Sequence, residues 1–338
     1  MPVPTNPAEF LDLVRKSALI PEERLQQFLQ GRTLPEHLRD LSELFVAEKL
    51  LTSFQADQLL LGKFRGFTVG SYVVLRPLGA GGMASVYLCH HKDLLERFVA
   101  IKVLPKAKAD DSVVLKRFRR EGRAICALDH PNIVHAYEID QDEKLHFMVM
   151  EYVEGTNLFE LVDKHGALPI PTAVDYIRQA TRGLQHIHDK GLIHRDIKPA
   201  NLLLSKDGVI KLFDMGLARF FEDEVDVLTK GVLGTADYIA PEQTYDSHKV
   251  DSRADIYSLG SSFYYLLTGK IPFGKGTVWR KIEYHRSSQP QPIHELRAEV
   301  PADLEAIVSQ MMAKDPAHRQ QTAMEVHDAL LPWVTEQV

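Results

Sequence analysis

Cysteine is scarce. The 338 residues contain two, Cys89 and Cys126, and neither is half of a C-x-x-C pair. That leaves no disulfide framework and argues against a structural zinc site; a reducing cytoplasm suits such a chain. Excess positive charge is also missing. The formal net charge is −6, so nothing supports nucleic-acid binding. Long apolar runs are the third absence. The longest notable uncharged stretch, IYSLGSSFYYLLTG at 256–269, lies between Asp255 and Lys270. It is too short and too polar to cross a bilayer and reads as a buried core helix, so no membrane segment is expected. The start, MPVPTNPAEF, has neither the basic residues nor the apolar stretch of a signal peptide. No internal repeat is visible.

The remaining composition, 45% hydrophobic and 25% charged, is ordinary for a globular protein, and the length fits a large domain plus a smaller one. Residues 8–62 carry only helical signals. Phe10, Leu13 and Val14, then Leu25, Phe28 and Leu29, then Leu34, Leu38, Leu41, Leu44 and Phe45 recur at spacings of three and four. Pro21 and Pro35 suit first-turn positions, and Thr52 with Gln55 makes a capping box for a last helix ending near Gly62. Three or four short helices follow from this. So small a module is expected to pack on something else; it reads as an interaction or regulatory domain that docks on the small lobe, on a partner or on a second copy of the chain, with a passive stabilising cap as the alternative. GKFRGFTVG, residues 62–70, has three glycines and two basic residues and marks the expected linker, 63–71.

From Tyr72 the pattern changes to β-branched and aromatic runs: YVVLRPLG, SVYLCHH, RFVAIKVL, NIVHAYEI and LHFMVMEYV. From about Ala167 helical periodicity dominates. A sheet-rich half followed by a helix-rich half predicts an α+β fold with two lobes.

The chemistry-bearing residues come in order along these halves. Gly79 and Gly81, between two expected strands, let backbone N–H groups approach a polyphosphate. Lys102 ends the strand VAIK, and Glu121 sits on the basic helix KRFRREGRAICAL. A lysine in a cleft needs a counter-charge to stay protonated, which Glu121 can supply while Lys102 holds the α- and β-phosphates. HRDIKPANLLL at 194–204 is the strongest signal. Asp196 can orient a hydroxyl and accept its proton, Lys198 can neutralise charge on a transferring phosphoryl group, and Asn201 offers an oxygen to Mg²⁺. Asp214, eighteen residues after Asp196, adds a carboxylate for the metal. The adjacent His90 and His91 point to opposite strand faces and cannot share a metal.

With these residues in place, the chain from about Tyr72 to Leu331 resembles a eukaryotic-like serine/threonine protein kinase, most similar to those of bacteria. The elements that carry this are LGAGGMASV, VAIK, Glu121, HPNIV, MVMEYVEG, HRDIKPAN, DMG, GTADYIAPE, DSRADIYSLG and Arg319. The resemblance implies a kinase domain over 72–332, with N-lobe 72–150, hinge 151–155 and C-lobe 156–332. It implies ATP and Mg²⁺ (or Mn²⁺) as cofactors and protein serine or threonine hydroxyls as substrates. By position, Met150 is then the gatekeeper. The backbone of Glu151 and Val153 bonds adenine, and Leu78, Val86, Ala100 and Leu203 sandwich the ring. Asp255 braces the catalytic loop, and Glu242 with Arg319 forms a structural ion pair. Lys198 and the GTADYIAPE platform, with Thr235 reaching Asp196 and Lys198, imply serine/threonine rather than tyrosine specificity.

Two positions depart from the family pattern: Ala84 replaces a third glycine, and Met215 replaces the phenylalanine of the metal-binding motif. Neither removes a charged group, and methionine is apolar and adaptable enough to fill the ring's place. An active kinase is expected, with a binding-only pseudokinase scaffold as the alternative. Thr229 is the expected autophosphorylation site, because Thr235 is tied to the substrate platform. Arg117, Arg195 and Arg219 are placed to receive its phosphate.

Overall fold

The β-branched runs of the first half form one antiparallel sheet. The computed structural model describes residues 3–80, 85–94, 97–104, 115, 119, 122–142, 145–215, 236–245, 250–274 and 276–333. Two compact units emerge, one comprising residues 1–115 and 137–152, the other 116–136 and 153–338.

The first unit begins with four helices: α1 (Pro7–Ser17), α2 (Glu22–Leu29), α3 (Leu38–Ala47) and α4 (Ser53–Leu60). Their apolar faces close on a small core of Phe10, Val14, Leu25, Phe28, Leu41, Phe45 and Leu59. Phe45 meets Phe28 and Phe10 edge-on, at centroid distances of 4.7 and 5.9 Å. The expected capping box opens α4: Thr52 Oγ1 accepts from the Gln55 N–H, and Gln55 Oε1 accepts from the Thr52 N–H. The prolines differ from expectation. Pro21 is the N-cap of α2, and Pro35 lies outside any helix, because α3 starts only at Leu38 behind an extended His37. Residues 63–71 are not a free tether. Phe67 is buried in the module's core, and Thr68–Val69 form strand β1.

The sheet continues with β2 (Tyr72–Ala80), β3 (Ser85–His91), β4 (Phe98–Val103), β5 (Ala136–Asp142) and β6 (Leu145–Glu151), in the order β1-β2-β3-β4-β6-β5. NIVHAYEI becomes a strand only at Ala136. Its first residues bond elsewhere: the Val134 N–H donates to Leu212 O, and the Leu212 N–H to Asn132 O, both at 2.9 Å. Alternation along the strands sorts side chains by face. Val74, Cys89, Val99, Ile101, Phe147 and Val149 close a core on one face. Phe54 of α4 packs against both this core and the module's own, so the two are continuous.

The second unit is helical around a second, smaller sheet that the sequence patterns did not disclose. Its strands β7 (Gly155–Asn157), β8 (Leu202–Ser205) and β9 (Ile210–Leu212) pair antiparallel in sequence order. Around it lie α5 (Leu158–His165), α6 (Ile170–Asp189), α7 (Arg253–Thr268), α8 (Val278–Ser287), α9 (Ile293–Leu296), α10 (Ala302–Met311) and α11 (Ala323–Leu330). As expected from IYSLGSSFYYLLTG, α7 is buried along nearly its whole length and stops at Gly269, whose φ of 70° suits glycine. Gly183 on α6 lets the HPNIV segment approach closely: a Cβ there would sit 2.6 Å from Asn132 O. Among the described residues no helix is long and apolar enough to cross a membrane.

Candidate active site

Four sequence-selected residues are assembled by the second unit. Asp196 stands at the turn between α6 and a 3-10 helix spanning Pro199–Asn201. Lys198 Nζ bonds Asp196 Oδ2 at 2.8 Å. Asn201 Nδ2 donates to the same Oδ2 at 3.0 Å and to Asp196 O at 2.8 Å. The amide thus gives both hydrogens to Asp196 and presents its Oδ1 as the remaining polar atom. The Phe213 N–H donates to Asn201 O at 2.9 Å, which brings Asp214 beside Asn201.

The turn is held from below. Asp255, fully buried on α7, accepts three hydrogen bonds: Oδ2 from the His194 N–H at 2.8 Å and His188 Nε2 at 2.9 Å, Oδ1 from the Arg195 N–H at 2.8 Å. Burial alone would raise its carboxyl, but the His188 hydrogen bond, the neighbouring histidines and the His194 N–H outweigh it and leave the group below its ordinary value. Arg195 and Asp214 are both left-handed, with φ of 66° and 59°. Such strain in non-glycine residues costs about 1–3 kcal/mol and persists only where the surroundings over-determine it. For Arg195 the clamp by Asp255 supplies that constraint, and Gln243 Nε2 adds a bond to Arg195 O at 3.0 Å.

His194 ties the two strained residues together. Its Nδ1 accepts the Asp196 N–H at 3.4 Å, so the proton sits on Nε2, which donates to Phe213 O at 3.1 Å. Complete burial keeps the ring below its ordinary value, against the pull of Asp255, Asp196 and Asp214, and the ring is neutral. Met215 follows directly and packs at the edge of the helical core. It fills apolar space there, as its flexible side chain allows.

The first unit gathers another set. In the register, Val86 lies opposite Lys102, Leu88 opposite Ala100, and Ala100 opposite Met150. Val86, Ala100, Lys102 and Met150 therefore share the sheet face opposite the one that Phe54 covers. Leu78 and Gly79 sit at the end of β2, and Glu151 ends β6. Val153 and Leu203 belong to the second unit, Leu203 on β8. Gly81, Ala84, Arg117, Glu121, Arg219, Thr229 and Thr235 lie outside the described residues.

The family model for the protein kinase domain matches residues 72–331. The chain belongs to the protein kinase family. It is 38% identical over 258 residues to the serine/threonine-protein kinase PrkC of Bacillus subtilis, a match covering 76% of this chain and 39% of PrkC. The chain thus spans about two fifths of the length of that relative. Among solved structures, the PknI kinase domain of Mycobacterium tuberculosis aligns with a TM-score of 0.63 at 28% identity, covering 79% of this chain and 98% of that one. Rad53 1–466, solved in complex with AMP-PNP, aligns with a TM-score of 0.64 at 25% identity, covering 85% of this chain and 70% of its own.

Kinases use ATP and a divalent metal, and the second unit offers suitable donors. Asn201 and Asp214 present an amide oxygen and a carboxylate, the hard oxygen ligands that Mg²⁺ or Mn²⁺ takes; two such ligands leave positions for phosphate oxygens. The expected ion pair of this kinase chain is present and structural. Arg319, 2% exposed, places all five N–H groups: two on the Glu242 carboxylate at 2.6 and 2.8 Å, three on the carbonyls of Ala313, Arg253 and Lys314. Sequence reasoning missed His188, Gln243 and the tautomer-setting role of His194. Nothing in IHDKGLIHRD singles out His188 until α7 puts Asp255 beneath it.

Proposed function

We propose that this chain is an ATP- and Mg²⁺-dependent serine/threonine protein kinase that transfers the γ-phosphoryl group to protein hydroxyls. The observation that carries this reading is the Asp196 carboxylate, held by Lys198 and Asn201 above the Asp255 clamp. ATP with Mg²⁺ (or Mn²⁺) supplies the phosphoryl group and neutralises part of its charge. Asp196 orients the acceptor hydroxyl and takes its proton. Lys198 lies on the same carboxylate and balances charge developing beside it. Asn201 and Asp214 hold the metal. Lys102, steadied by Glu121, holds phosphate oxygens, and the backbone at Gly79 and Gly81 approaches them. Leu78, Val86, Ala100 and Leu203 enclose adenine, Met150 bounds its pocket, and the backbone at Glu151 and Val153 pairs with its edge.

The name of PrkC and the lysine in HRDIKPAN support serine and threonine as acceptors. Thr229 is the proposed site of autophosphorylation, with Arg117, Arg195 and Arg219 as cationic receptors. We assign the reaction to the cytoplasm, where ATP is supplied. Lys102→Ala tests the assignment. The variant should stay folded, lose Mg-ATP affinity and lose most of its kcat/KM; an unchanged kcat/KM would overturn the role of Lys102.

A further inference from the structure

β2 carries two bulges. Its pairing with β3 shifts register between Val74 and Arg76 and again between Pro77 and Gly79, so Leu75 and Leu78 are the extra residues. A bulge disrupts the ladder locally and re-aims the side chains around it. β1 accompanies β2 only as far as Val74, whose N–H donates to Phe67 O at 2.9 Å. Beyond that point α4 meets the edge. Gln55 Nε2 donates to Val74 O at 2.7 Å, and Thr52 Oγ1 donates to Leu75 O at 2.6 Å. These are the two side chains of the capping box, so the start of α4 and the first bulge are fixed by one set of bonds. Gln55 is 4% exposed, which strengthens its bond to the strand. Phe54, between them in sequence, joins the two cores.

The second bulge lies three residues further along the same strand. It brings out Leu78, 37% exposed, immediately before Gly79. The helical module packs on the sheet face away from Val86, Ala100, Lys102 and Met150, and among the described residues its hydrogen bonds to the backbone of β2 are what link it to that face.

We propose that Thr52 and Gln55 are positioning residues for the nucleotide. By fixing the bulge at Leu75 they set where Leu78 and Gly79 meet adenine and phosphate, and the N-terminal module becomes part of the frame of the nucleotide-binding strand. This rests on the nucleotide reading of the β2–β4 face given above.

The test uses the full chain. Gln55→Glu keeps an oxygen to accept the Thr52 N–H but has no hydrogen for Val74 O; Thr52→Val removes the bond to Leu75 O. Leu25→Ala is the control, because it loosens the module's core without touching β2. The Kd for Mg-ADP is measured by calorimetry, and KM for ATP is compared with kcat, with melting temperatures alongside. Both β2-facing variants are expected to raise Kd and KM about three- to tenfold, the effect of one lost hydrogen bond. Their kcat at saturating ATP should stay within about twofold of wild type, and Leu25→Ala should leave Kd in place. An unchanged Kd in both variants, or an equal rise in Leu25→Ala, would overturn the proposal. A wild-type chain that binds Mg-ADP but transfers no phosphate would refute phosphotransfer, while the Kd comparison would still decide this inference. A chain that binds no Mg-ADP would refute both.

Discussion

Replacing Asp255 by asparagine should release the catalytic turn while leaving the fold standing. The carboxylate accepts three bonds, two on Oδ2 and one on Oδ1. In Asp255→Asn one oxygen becomes an NH₂ group. The better orientation keeps the oxygen toward His194 and His188 and turns the nitrogen against the Arg195 N–H. A hydrogen bond to a charged acceptor contributes about 1.5–3 kcal/mol, and a buried donor left facing another donor costs a further ~1–3 kcal/mol. Asparagine avoids burying a charge, which offsets part of the loss, so a net cost of about 2–4 kcal/mol is reasonable. The loss falls on the one peptide whose left-handed φ aims Asp196. We expect turnover to drop about 100-fold or more, with the melting temperature lower by roughly 5–10 °C. Single-turnover phosphorylation and thermal unfolding read the two effects separately. Turnover within about twofold of wild type at an unchanged melting temperature would refute the clamp.

Arg319→Lys keeps the charge but cannot reproduce five N–H contacts at a position whose own side chain has no exposed surface. A loss of about 3–5 kcal/mol in urea unfolding is expected, with kcat per folded molecule unchanged. His285, buried beside Tyr257 and Lys314, has its imidazole pushed down to about 3 from 6.5, chiefly by burial. The unfolded chain therefore takes a proton near pH 6.5 that the folded chain refuses. Stability from this group is whole above 6.5 and falls as pH drops toward about 3, by up to about 1.4 kcal/mol per pH unit. His194 acts in the same direction. His285→Gln should flatten the decline in urea midpoint between pH 6.5 and 4, and equal slopes for variant and wild type would contradict this.

What the sequence disclosed follows from the kind of information each element needs. HRDIKPAN is compact, and its roles depend on spacing within one turn, so Asp196, Lys198 and Asn201 were legible together. Val86, Ala100 and Lys102 were legible only by their place in the family motifs; the pairing of β3 with β4 is what puts them on one face. The buried helix was legible because fourteen uncharged residues between Asp255 and Lys270 have no other home. Short strands were not: β8 and β9 are four and three residues long, too brief for a period to show. Pro35 misled because leucine spacing ran through it while the helix begins only at Leu38. Long-range hydrogen bonds left no local trace. Gln55 signals a capping box, yet its bond to Val74 spans 19 residues, and that from Asp255 to His194 spans 61.

Transfer of labelled phosphate from Mg-ATP to a basic serine- and threonine-containing protein, by the wild-type chain and by Asp196→Asn side by side, reaches the central claim most directly. We expect metal-dependent incorporation into the substrate and into the chain itself, nearly abolished in Asp196→Asn although that variant still binds Mg-ADP. Equal incorporation by both proteins, or none by a wild-type chain that binds nucleotide and metal, would contradict it.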